Sequence, residues 1–222
     1  MNGSIVTLLT KPYDFFKNLN SNPQSLEIPA LFVLMEGLIA AVGAYMLAGL
    51  TGKMMSGIMP GMESITGIIA VVGAVIGAFV FWVVIAGVFF IVSSLFKGSG
   101  SFGRCLEVTG WGFLPQVFSS LIITVITIVT VPSVSIPAIS KSALSDPQAV
   151  QAAVTALMQD PSMMMIRQVT AVVSIIFILW SGHIWSEGMK EARGLSLRDA
   201  RLCVGIPIVL YVIYLIYSVT LA

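Results

Sequence analysis

Five stretches of this chain are apolar over about twenty residues or more, the length a helix needs to cross the hydrocarbon core of a bilayer. They run from about Ile28 to Leu50, Ser64 to Phe96, Val108 to Val131, Met163 to Gly188 and Leu202 to Leu221. Within hydrocarbon every backbone N–H and C=O must be satisfied inside the segment, which makes each stretch an α-helix. Composition agrees: 57% of residues are hydrophobic and only 9% charged, against roughly a quarter charged in soluble domains, and the mean hydropathy is +1.00. The expected fold class is all-α, a polytopic transmembrane helical bundle of five spans forming a single domain over residues 1–222. As one helix the second stretch would rise about 50 Å against roughly 30 Å of hydrocarbon, so it must tilt or protrude.

Lysine and arginine fix the expected orientation. One set of segments holds Lys11, Lys17, Lys97, Arg104, Lys190, Arg193, Arg198 and Arg201 and the other holds Lys53, Lys141 and Arg167, eight against three. The positive-inside rule then puts the amino terminus in the cytoplasm and, after five spans, the carboxyl terminus outside. Trp111 and Trp185 lie near inner span ends, as interfacial anchors would. The opening residues lack an uninterrupted apolar core with a small-residue cleavage site, so no secretory signal peptide is expected. Cys105 and Cys203 fall at cytoplasmic connections and read as separate free thiols. A net charge of +1 without a clustered basic stripe argues against nucleic acid as a partner.

Two segments outside the spans carry helical periodicity. Phe15, Phe16 and Leu19 recur at helical spacing in Pro12 to Leu19, which predicts a short interfacial helix. Asp146-Pro147 starts an amphipathic helix on the outer face, about residues 147–159, and Asp160-Pro161 starts the fourth span. Gly73-x-x-x-Gly77 with Ala70, Ala74 and Ala78 predicts close helix packing, within the bundle or across a dimer.

The chemistry-bearing residues are few. Glu36 lies inside the first span, about 12 Å from its inner end, where a carboxylate is costly and usually paired. Gln116 falls at similar depth and His183 about 7 Å in. Glu36, Gln116 and His183 therefore form a candidate intramembrane polar cluster, open to the cytoplasm and able to exchange a proton or bind a small ligand. The alternatives are a structural hydrogen-bond network, a protonated Glu36 bonded to a carbonyl, and a His183–Glu187 pair along one helix face. Eight of twelve methionines lie toward the outer side, where thioethers could take Cu(I) or simply pack, and packing is the expectation. Gly98 to Arg104 lacks the lysine and hydroxyl residue of a phosphate loop. With Lys97, Arg104, Arg193, Arg198 and Arg201 it reads instead as a candidate contact for anionic headgroups, or as positive-inside charge alone. One histidine, no His-Glu-x-x-His and no Gly-x-Ser-x-Gly leave no assembled catalytic site, so no enzyme, cofactor or metal is expected.

Three stretches make the chain similar to the Ypt-interacting protein (Yip) family of five-span membrane proteins. They are Pro12-Tyr13-Asp14-Phe15-Phe16; Gly98-Ser99-Gly100-Ser101-Phe102 leading to Trp111-Gly112-Phe113-Leu114-Pro115; and Gly194-Leu195-Ser196-Leu197 before Ala200. Eukaryotic members of that family are linked to Rab GTPases and vesicle traffic, often through a long cytoplasmic region. Only about 27 residues precede the first span here, which counts against a Rab-type GTPase partner and resembles the short prokaryotic form. For the short form the resemblance implies the fold and no settled activity; the expectation is an integral protein of a prokaryotic cytoplasmic membrane that organises or scaffolds membrane through lipids, protein partners or its own oligomer. A small transporter or proton-linked channel using Glu36 is the competing expectation.

Overall fold

The computed structural model describes residues 5–55, 59–140, 142–143 and 146–220. Lys141, counted above for orientation, and Leu221, the expected end of the last span, lie outside them. Among the described residues the chain forms nine α-helices and one 3-10 turn. They are α1 (Ile5–Thr10), α2 (Pro12–Asn20), α3 (Glu27–Met54), α4 (Met62–Leu95), α5 (Phe102–Trp111), α6 (Leu114–Thr130) with the turn Val131–Ser133, α7 (Pro147–Met158), α8 (Pro161–Arg193) and α9 (Leu197–Thr220). Five are long and apolar enough to cross a membrane: α3, α4, α6 with its turn, α8 and α9. Only 6% of the most apolar window of α4 is buried within the protein. A helix that is hydrophobic all round and so little covered has lipid as its solvent, and the chain is an integral membrane protein.

The third span begins later than expected. The apolar stretch from Val108 is two helices, because Pro115 has no N–H to offer the carbonyl one turn back and its ring crowds that carbonyl. α5 therefore stops at Trp111, and Pro115 lies in the first turn of α6, where a missing N–H costs nothing. At the break the Phe113 N–H turns to the Gly110 carbonyl at 3.1 Å.

The helices divide into two compact units, Met1–Glu36 with Ala78–Ser119 and Ser174–Ala222, and Gly37–Gly77 with Ser120–Val173. The first has a core of Trp82, Phe89, Phe113, Trp185, Met189 and Val204. Trp82 Nε1 donates to the Leu106 carbonyl at 2.9 Å and Trp185 Nε1 to that of Thr109 at 2.7 Å. The Thr109 carbonyl would take the Phe113 N–H if the helix continued, so the break supplies the indole's acceptor. A Cβ at Gly112 would overlap the Trp185 indole, and one at Gly110 would meet Pro29 and Trp82. Trp111 and Trp185 are thus buried core residues, 5% and 1% exposed, and not the interfacial anchors that their position suggested.

The second unit is held by caps and small residues. Asp146 accepts from the Gln148 N–H at 2.9 Å and starts α7 as expected. Asp160 starts α8, accepting from Ser162 and Met163 N–H at 2.8 and 3.3 Å, and also takes the Ser135 N–H at 3.0 Å. Those N–H groups, Ser135's foremost, hold its carboxyl below the usual carboxylate range. A Cβ at Gly52 would strike the Glu63 backbone, so α3 and α4 approach closely there. Gly73 and Gly77 by contrast have no atom within 4 Å of an added Cβ, so packing within this chain does not need them.

Candidate functional site

The polar groups of the first unit gather around the end of α8. Its last residue, Arg193, is buried at 3% exposure. Its Nε donates to Ser93 Oγ at 2.9 Å and its Nη2 to the Gly98 carbonyl at 2.9 Å and Ser94 Oγ at 3.3 Å, while Nη1 donates to the Gly100 carbonyl. The guanidinium also stacks 4.2 Å from the Phe90 ring centroid, and the Arg193 carbonyl accepts from the Ser99 N–H at 2.9 Å. Five donors in a planar fork suit a loop wrapped around them. The glycines make the wrapping possible: a Cβ at Gly98 would strike the Ser93 carbonyl, and Gly100 has a φ of 105° and sits against the Ala192 carbonyl.

Helix ends set the flanks of this knot. α4 ends in a Schellman turn, with Gly98 N–H on the Ser93 carbonyl and Lys97 N–H on that of Ser94. Lys97 occupies the left-handed position at φ 59°, which usually belongs to glycine. α8 ends the same way, with Gly194 at φ 63° and Leu195 N–H on the Lys190 carbonyl at 3.1 Å. Ser196 then opens α9, taking the Asp199 N–H at 3.1 Å and donating to the Asp199 carboxylate at 2.7 Å.

The amino-terminal helices are packed on the same unit. Phe15 lies 4.8 Å from Trp111 edge to face, and Phe16 lies where Gly188 leaves room. Tyr13 sits 4.0 Å beneath Lys190 Nζ. The apolar face of α2 is therefore covered by protein, with Phe15 and Phe16 at 3% and 1% exposure. Arg104 pairs with Glu107 at 2.6 Å and donates to the Asn22 carbonyl at 2.7 Å and that of Leu19 at 3.4 Å, while Glu107 also accepts the Ser25 N–H at 3.1 Å. Burial raises the Glu107 carboxyl above its ordinary range, against the pull of Ser25 and Arg104.

Two of the five expected headgroup contacts are accordingly internal. Arg193 and Arg104 spend their donors on the protein, and a guanidinium so occupied is not offered to a lipid. Lys97, Arg198 and Arg201 are exposed.

The three residues expected to form a polar cluster have separate surroundings. Gln116 donates to Ser181 Oγ at 2.9 Å, which joins α6 to α8. His183 is two residues beyond Ser181, about 200° around the helix, and is exposed while Ser181 is buried. It is not in an ion pair with Glu187, which is 7% exposed. Glu36 is half-buried on α3, within electrostatic reach of Tyr211. Among the described residues no hydrogen bond or ion pair joins Glu36, Gln116 and His183.

Of the two cysteines only Cys203 lies within a span, while Cys105 is in the connection between α4 and α6, as expected. Cys105 is within α5 and Cys203 within α9, both at 0% exposure. Burial pushes the Cys105 thiol up to about 11. Of the methionines expected toward the outer side, Met54 and Met163 pack into the second core, whereas Met59, Met158, Met164 and Met165 are exposed. No group of three or more His, Cys, Asp and Glu among the described residues could hold a metal ion.

The family model described as the Yip1 domain matches residues 6–219, nearly the whole chain. The chain belongs to the Yip1 domain family. It is also 37% identical over 119 residues to an uncharacterized protein of Methanocaldococcus jannaschii, a match covering 54% of this chain and 84% of that protein. No solved structure matches it. In this Yip-family chain the three motifs have structural tasks: the Phe15-Phe16 pair seats α2, Gly98 to Ser101 encloses Arg193, and Gly194 to Leu197 turns α8 into α9.

Proposed function

We propose that this Yip-family protein organises the membrane around it by binding anionic lipid headgroups with Lys97, Arg198 and Arg201, at the cytoplasmic face of a prokaryotic membrane. The observation that carries the reading is that two of these cations stand where stability argues against them. A non-glycine residue in the left-handed region costs on the order of 1–3 kcal/mol, more than the 0.3–1 kcal/mol or so that a cation gains near a helix carboxyl terminus. Lys97 bears that cost and is exposed. Arg198 lies in the first turn of α9, where the helix dipole repels a cation.

Position along the chain supports the same reading. Arg198 and Arg201 are three residues apart and share a face of α9. Exposed apolar surface begins at the next residue, Leu202, and continues through Ile206, Val209 and Leu210. Cations within one turn of a lipid-facing surface lie at headgroup depth. Native mass spectrometry of protein extracted from mixed vesicles tests this. Wild type retains phosphatidylglycerol over phosphatidylcholine, and Lys97→Gln/Arg198→Gln/Arg201→Gln loses that preference. Equal preference in both proteins would overturn the proposal.

A transport reading rests on Glu36, a half-buried carboxylate without a hydrogen-bond or ion-pair partner among the described residues. It requires proton or cation flux in proteoliposomes that Glu36→Gln abolishes; no flux from wild type would remove it.

A further inference from the structure

The core of the first unit brings three sulfur side chains to one side of α4. Cys105 Sγ donates to the Ala86 carbonyl at 3.4 Å and lies 3.5 Å from Met189 Sδ. Cys203 Sγ donates to the Phe89 carbonyl at 3.2 Å. Ala86 and Phe89 are three residues apart, so the two acceptors share a face of α4 about 4.5 Å apart along its axis. The sulfurs come from α5, α8 and α9, which are separate in sequence, and Cys105, Met189 and Cys203 are each 0% exposed.

We infer that Cys105, Cys203 and Met189 form a binding site for one soft monovalent d10 cation, Cu(I) or its redox-inert stand-in Ag(I). Two thiolates and a thioether are the donor set such an ion prefers. The absence of a nearby imidazole or carboxylate from this set disfavours the tetrahedral nitrogen and oxygen sites of zinc. Charge also balances. Binding forms two metal–thiolate bonds and one thioether bond and releases the two thiol protons, with no change in oxidation state. The resulting complex carries one negative charge, and the Arg193 guanidinium, whose field reaches both cysteines, carries one positive. A buried anion with a cation held beside it avoids most of the cost of an unpaired buried charge. Because the sulfurs are sealed from solvent, loading requires local opening of the core and is slower than diffusion.

The test is anaerobic titration of the purified protein with Cu(I) against a chromogenic Cu(I) chelator, followed by X-ray absorption at the copper edge. One Cu(I) per chain in an all-sulfur shell is expected. Cys105→Ala/Cys203→Ala should abolish uptake, and Met189→Leu, which conserves volume, should weaken it by about tenfold or more, since even outer-shell partners of a metal site contribute that much. Uptake that survives the double cysteine variant would assign copper to the exposed methionines and overturn the inference. Should the double variant not fold, the wild-type shell decides: nitrogen or oxygen scatterers contradict the site, as does failure of the wild type to take copper from the chelator.

Discussion

Arg193 Nη2 donates to the Gly98 carbonyl at 2.9 Å across 95 residues of sequence. That bond and its three companions fasten the end of α8 to the loop after α4, in a place where sequence alone suggested free positive charge. Removing the guanidinium takes the donor from buried Ser93 and from the part-buried Gly98 and Gly100 carbonyls, and a hydrogen bond to a charged group is worth about 1.5–3 kcal/mol. Arg193→Ala should lower the unfolding free energy by about 3 kcal/mol or more, and Arg193→Lys by nearly as much, since an ammonium cannot span Ser93, Gly98 and Gly100 at once. Denaturant or thermal unfolding in detergent checks this, and a lysine variant as stable as wild type would refute the fork geometry.

Lys97 predicts an exchange of stability for binding. Glycine adopts φ 59° without steric cost, so Lys97→Gly should raise stability by about 1 kcal/mol while reducing retention of phosphatidylglycerol. A variant that gains stability and keeps full lipid preference would show that the lysine is incidental to binding.

The glycines separate into two classes. Gly112→Ala pushes a methyl into the Trp185 indole and should cost about 1–3 kcal/mol. Gly77→Ala meets open space and should be neutral or slightly stabilising, because alanine is the better helix former by about 1 kcal/mol. Thermal midpoints of the two variants suffice to compare them.

Asp160 gives the second unit a pH dependence. Its folded pKa lies below the unfolded value, so it contributes stability that is fully present above the unfolded carboxylate value of about 3.9 and is lost as pH falls through the lower folded value. Asp160→Asn should therefore unfold earlier than wild type at neutral pH, with the gap closing in acid below about pH 4. A gap that stays constant down to pH 2 or so would mean that the charge does not matter.

Much of this fold was legible in the sequence. Apolar length alone marks the five spans, and Asp-Pro pairs mark the starts of α7 and α8, because both signals are local. Pro115 also stood in plain view, yet a hydropathy reading ran through it, since apolar length does not register a missing N–H. Pro207, by contrast, lies inside an unbroken α9. The site was less legible because burial is a tertiary property. Arg193 and Arg198 look alike in sequence, but one is enclosed by a loop about 95 residues earlier and the other is exposed. Depth matched Glu36, Gln116 and His183, but depth says nothing of helical phase, and phase removes His183 from Ser181. The i,i+3 pair of Arg104 and Glu107 could have been found from spacing. The convergence of Cys105, Met189 and Cys203 could not, because nothing local relates them.

Lys97, Arg198 and Arg201, all exposed, should together select anionic lipid. The most direct measurement is electron spin resonance of spin-labelled phosphatidylglycerol and phosphatidylcholine around the reconstituted protein, at low and high salt. Wild type should immobilise phosphatidylglycerol preferentially, with a preference that shrinks as salt screens the charges. Lys97→Gln/Arg198→Gln/Arg201→Gln, folded by circular dichroism, should treat the two lipids alike. A preference equally strong in that variant, or absent from wild type at low salt, would contradict the claim.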